Sequence, residues 1–130
     1  MPPLHIARVI WAALLGALAT YLVVLVMLLP PAAAPADVTA LRLVLAALVL
    51  PTLGAILFFR RQLPSPERAS GPAPPPLTTY VVCWALAESI ALYGLVLGLL
   101  AHSLDEAEPF FILGAALLLW QRPRAAHFGA

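Results

Sequence analysis

Apolar residues fill four stretches of the chain, at about 6–29, 38–61, 77–102 and 106–121, and prolines or charges separate them. A helix needs about 20 such residues to cross roughly 30 Å of hydrocarbon, and the first three stretches reach that length. The fourth is shorter. It either begins earlier, near Asp105, thins the bilayer locally, or packs inside a bundle. The linker PPAAAP joins the first two segments, and the acidic turn SLDEAEP joins the last two. The polar, Pro-rich stretch at 62–76 forms no packed element and is expected to be mobile or extended. The pattern predicts an all-α integral membrane bundle of four transmembrane helices, two hairpins in a single domain over 1–130. The first segment has the look of a signal peptide. However, its apolar part, 9–29, is too long for an ordinary h-region, and Pro30 and Pro31 abut the small residues a cleavage site would use. It reads as a retained helix.

Composition narrows the class. The chain is 63% hydrophobic and 10% charged, with a mean hydropathy of +0.99, which leaves too little polar surface for a soluble domain. A net charge of +1 gives no electrostatic footprint for nucleic acid. The single cysteine, Cys83, excludes an intrachain disulfide framework and a cysteine zinc cluster. The charges are also sorted by end. Arg8, Arg60, Arg61, Arg68, Arg122 and Arg124 share one side of a four-span topology. Asp37, Asp105, Glu106 and Glu108 occupy the other, with Arg42 the basic residue among them. By the positive-inside rule this is a multi-pass protein of the inner (plasma) membrane, with both termini and the central loop cytoplasmic. Trp11, Trp84 and Trp120, with Tyr80, lie towards that side and read as interface anchors.

Glu88 is the one charged residue of the apolar run 78–101. A carboxylate at mid-membrane is expensive, and such residues mark functional sites by default. By helix rise it lies about 16 Å from the cytoplasmic end, near the depth of Pro51 on the second helix. Pro51 frees the carbonyl of Ala47, and Thr52 beside it offers a hydroxyl. Burial favours the neutral carboxyl, which would donate to either group. Two readings stay open: a proton- or cation-binding carboxylate assisted by Thr52, or a neutral Glu that pins two helices together. Ala87, Ala91, Gly94 and Gly98 form a small-residue face beside it, suited to close helix packing. Pro51 is placed with them at the helix–helix contact.

The stretch ESIALYGLVLGLL resembles the ion-carrying helix of the rotary ATPase c subunits, the proteolipid family. Glu88, Tyr93, Gly94 and Leu95 stand at the matching spacing, and Arg61-Gln62-Leu63-Pro64 is similar to that family's polar loop. The resemblance implies that Glu88 is a proton or sodium carboxylate, with Ser89 beside it. The likeness covers about 38–102 and is specific over the stretch 88–100. The second helix has only Gly54 where that family has a glycine ladder, and the carboxylate here falls in the third of four helices.

Arg42 lies about one turn inside the outer end of the second helix and reads as an anchor paired with Asp37 or the acidic outer loop. His102, Asp105, Glu106 and Glu108 are weak as a metal-ligand set, and the three acidic residues are read as cap and topology determinants. No catalytic triad, P-loop, dinucleotide loop or CxxC occurs. The expectation is a non-enzymatic membrane subunit without a cofactor, whose partners are the lipid bilayer and a homo-oligomer or larger membrane complex. The alternative is a proton- or cation-translocating element centred on Glu88.

Overall fold

A computed structural model describes residues 2–29, 36–63 and 75–129. Among the described residues the chain is helical: α1 (Pro3–Leu28), α2 (Thr39–Arg60), α3 (Pro76–Ala101), α4 (Leu104–Trp120) and a short 3-10 turn at Ala125–Phe128. The first three helices are each long and apolar enough to cross a membrane. α4 has 17 residues, about 25 Å of helix by its rise. It starts at Leu104 rather than 106, which puts Asp105 and Glu106 in its first turn, where the helix dipole favours carboxylates. The linker at 30–35 and the Pro-rich stretch at 64–74 lie outside the described residues.

Local chemistry sets the helix ends. α1 and α3 both open on a proline, Pro3 and Pro76. Proline's fixed φ suits the first helical position, and its missing N–H would have had no partner there. α3 closes at His102, which adopts the left-handed conformation (φ 53°). The amide of Ser103 then returns to the carbonyl of Gly98 at 3.2 Å, a wrapped-back helix end that satisfies a terminal carbonyl.

α3 is the hub. It packs against α4, α2 and α1, and α1 also meets α4, whereas no extended interface joins α1 to α2. Buried positions on α3, from Thr79 and Tyr80 to Gly98 and Ala101, follow the 3–4 residue spacing of one broad face, and Val81, Leu92, Val96 and Leu100 on the opposite face are exposed. α2 buries one stripe only, Leu45, Val49, Thr52 and Ile56, at the 3–4 residue spacing of a single helical face. Its other side exposes Leu43, Val44, Leu50 and Phe58, and α1 exposes Val23, Val26 and Met27. In water these would be large apolar patches; in hydrocarbon they cost nothing.

The tightest contact joins α3 and α4. A Cβ added at Gly94 would lie 2.7 Å from Phe110 Cβ and 2.9 Å from the Ala107 carbonyl oxygen. One at Gly98 would lie 2.9 Å from Ala107 Cβ and 3.0 Å from Leu25 Cδ2 of α1. Gly114 of α4 answers from the other side, 3.1 Å from Ala91 Cβ and 3.2 Å from the Ala87 carbonyl oxygen. Small residues thus let two backbones approach where lipid provides no hydrophobic drive. Gly114 carries half of this contact and was not singled out from the sequence. Pro51 takes no part in helix packing: it is exposed, because the stripe that turns Thr52 inward rotates its neighbour out by about 100°.

Candidate functional site

Glu88 sits at the centre of α3, and its partner comes from α1. The Tyr21 hydroxyl donates to Glu88 Oε1 at 2.7 Å, and both residues are half-buried along the α1–α3 seam. A phenol in a lipid-spanning helix needs a hydrogen-bond partner, which is the signal that would have found Tyr21 in the sequence. The expected contact with α2 does not form. Thr52 Oγ1 donates to Leu48 O at 2.8 Å within its own helix, and Ser89 Oγ likewise to Ala85 O at 2.8 Å. The reason is rotational. α2 packs on α3 through Ile90 and Leu97, and Glu88 lies two residues, about 200° of helix, away from Ile90. Ser89 and Thr52 are therefore not gathered around the carboxyl. Ala87, Ala91, Gly94 and Gly98 face α4 and α1 instead.

At the acidic end, Arg42 Nη1 meets Glu106 at 3.0 Å from Oε1 and 3.3 Å from Oε2. The pair roofs an apolar groove of about 450 Å³ between α2 and α4, lined by Val49, Phe110 and Leu113. Arg42 thus anchors to the outer turn rather than to Asp37. The Asp37 carboxylate instead accepts from the hydroxyl and amide of Thr39, and these two bonds hold it below the usual carboxylate range. Among the described residues no three His, Cys, Asp or Glu gather to hold a metal ion, and His102 serves as the turn that ends α3.

The basic end is built on aromatics. Trp11 Nε1 donates to Leu118 O at 2.7 Å, and Trp84 Nε1 to Gln121 O at 2.9 Å. Trp84 is fully buried, so it is a core residue rather than the interface anchor expected. It lies deep enough along the hub helix for α4 to cover it. Trp120 is half-exposed and carries the Arg60 guanidinium 4.1 Å above its ring, an anchor's position. Gln121 is fully buried, with neither amide atom partnered among the described residues.

The tail folds back onto Tyr80. Its hydroxyl accepts from the Arg124 amide at 3.2 Å and lies 2.6 Å from His127 Nδ1, while Phe128 stacks on its ring. The direction of the Tyr80–His127 bond follows the imidazole tautomer, since a phenolic oxygen can accept twice as well as donate. Burial, with Arg124 and Arg60 nearby, pushes the His127 pKa below its ordinary 6.5. The folded pKa being depressed, this docking contributes fully above the unfolded value and is lost as pH falls through the folded one. Limited proteolysis of the tail should accelerate below about pH 6 and become insensitive to pH in His127→Asn. A cleavage rate flat between pH 7 and 5 in the parent protein would contradict this. Sequence reading passed over His127 because a tail histidine carries no periodic signal.

No protein-family profile, curated protein or solved structure matches the chain.

Proposed function

We propose that this chain is a small, non-enzymatic polytopic membrane protein: a packing or accessory subunit of a homo- or hetero-oligomeric membrane complex. We further propose that its arginine-rich end and both termini are cytoplasmic, which the sorting of charge supports. The observation that carries the reading is the Tyr21–Glu88 pair. A mid-helix carboxyl is satisfied by one phenol on a half-buried seam, with no nucleophile–base arrangement beside it among the described residues and wide apolar faces of α1 and α2 on either hand. The pair fixes α1 to the hub helix and leaves Glu88 Oε2 as an acceptor for a neighbouring helix. Oligomeric state in mild detergent tests this: assemblies larger than one chain are expected, and a strictly monomeric protein in both detergent and native membranes would overturn it.

A second reading, proton or cation translocation with Glu88 as the ion-binding carboxylate, is favoured by the partial exposure of that carboxyl and by its local likeness to the proteolipid helix. The two readings part in a pair of variants. Glu88→Gln keeps an acceptor for Tyr21 and should fold and assemble normally, while Tyr21→Phe should lower stability by about 1 kcal/mol, the scale of intramembrane hydrogen bonds. Proton flux in liposomes that disappears in Glu88→Gln would select translocation. Flux indistinguishable from empty liposomes in the parent protein would remove it.

A further inference from the structure

A cavity of about 570 Å³ opens at the basic end, lined by Arg8, Trp11, Arg122, Pro123 and Arg124 with small alanines between them. Three exposed arginines line it from two separate parts of the chain, the start of α1 and the segment after α4. Among the described residues the one ion pair is Arg42–Glu106, at the opposite end of the molecule, and among those residues no carboxylate pairs with any of the three. The backbone that carries them is held in place. Trp11 is tied to Leu118, Trp84 to Gln121, and the amide of Arg124 to Tyr80. These bonds fix the segment on both sides of Arg122 and set it against α1. Buried Trp84 and Tyr80, with half-buried Trp11, thus hold the backbone from which three arginines line one concavity.

We propose that this cavity binds the phosphate group of an anionic membrane lipid. Arginine suits the role because its planar fork meets phosphate oxygens bidentately, and basic pockets at the ends of transmembrane helices are built for such headgroups. The lipid source follows from position. The cavity lies at the end of membrane-crossing α1, and exposed Val9 flanks Arg8 where acyl chains would run. The site is independent of the role assigned to Glu88.

Native mass spectrometry of the purified full chain, titrated with phosphatidylglycerol or phosphatidylcholine, tests the proposal. The parent protein should bind phosphatidylglycerol roughly tenfold more tightly or better, and the triple substitution Arg8→Gln, Arg122→Gln, Arg124→Gln should erase that preference. Arg42→Gln, at the other end, should leave it intact. Equal affinity of the parent for the two lipids would overturn the proposal without recourse to any variant. So would an anionic preference that survives the triple substitution in protein whose circular dichroism is unchanged. Competition with glycerol phosphate separates the sources. Weak displacement, only at millimolar concentrations, is expected; displacement as effective as the lipid itself would mark a soluble phosphate site and overturn the lipid assignment.

Discussion

Gly94→Leu should pull α4 away from α3 and leave the protein unable to fold. A Cβ at this position already meets Phe110 Cβ at 2.7 Å and a backbone oxygen of Ala107 at 2.9 Å. The oxygen belongs to a helix and cannot rotate aside, so the two backbones must separate. Even Gly94→Ala should cost about 1–3 kcal/mol, the usual scale of overpacking. The leucine adds three more carbons to the same space. The controls are built into the chain. Gly16 and Gly54 have nothing within 4 Å of an added Cβ, and leucine at either should be tolerated. The readout is the monodisperse yield and thermal midpoint in detergent. A Gly94→Leu protein as stable as Gly54→Leu would show that α3 and α4 are not packed as described.

The second large effect is expected at Trp84. It is fully buried in the hub helix, stacks near Tyr80 with ring centroids 5.2 Å apart, and ties down Gln121. Trp84→Ala should cost about 3–5 kcal/mol through lost contacts and the cavity left behind. Trp84→Phe retains most of the volume but strips the Gln121 carbonyl of its donor, a loss of about 1–3 kcal/mol if the group stays buried. Chemical denaturation in mixed micelles resolves the two steps. The order expected is parent, then Phe, then Ala. If Phe proves as stable as Trp, the hydrogen bond to Gln121 is not what holds the end of α4.

The helices themselves were legible in the sequence, because hydrophobic length alone decides them. The rotation of each helix was not. Glu88 could be placed at the right depth from helix rise, yet its azimuth depends on which neighbours α3 acquires. Ile90 and Leu97 took α2, the small residues took α4, and Glu88 was left to α1. The exposed face of α3, with Val81, Leu92, Val96 and Leu100, is as apolar as its buried face, which removes the pattern that would have indicated this. The small-residue face at Ala87, Ala91, Gly94 and Gly98 was readable, since it needs only i, i+4 and i+7 spacing. Its counterpart at Gly114 was not, because one glycine in an apolar helix looks like any other. Trp84 was misplaced for a similar reason: an indole two turns into a helix suits a membrane interface and a covered core equally well. The returning tail, with His127 on Tyr80, depends on contacts far apart in sequence, to which periodicity is blind.

The hub arrangement also dictates an order of arrival. α1 and α2 leave the ribosome before the helix that both of them pack against, and they share no extended interface of their own. Each must therefore be able to wait in lipid unaccompanied. Their sequences permit this: α1 carries only Arg8 near its first turn, and α2 only Arg42 and Arg60 near its ends. The side chain that lipid would tolerate least, Glu88, comes third. By then Tyr21 has already been delivered to the membrane with its hydroxyl unspent. Chain order thus works as a form of chaperoning, in which the acceptor is synthesised only after its donor is in position to receive it.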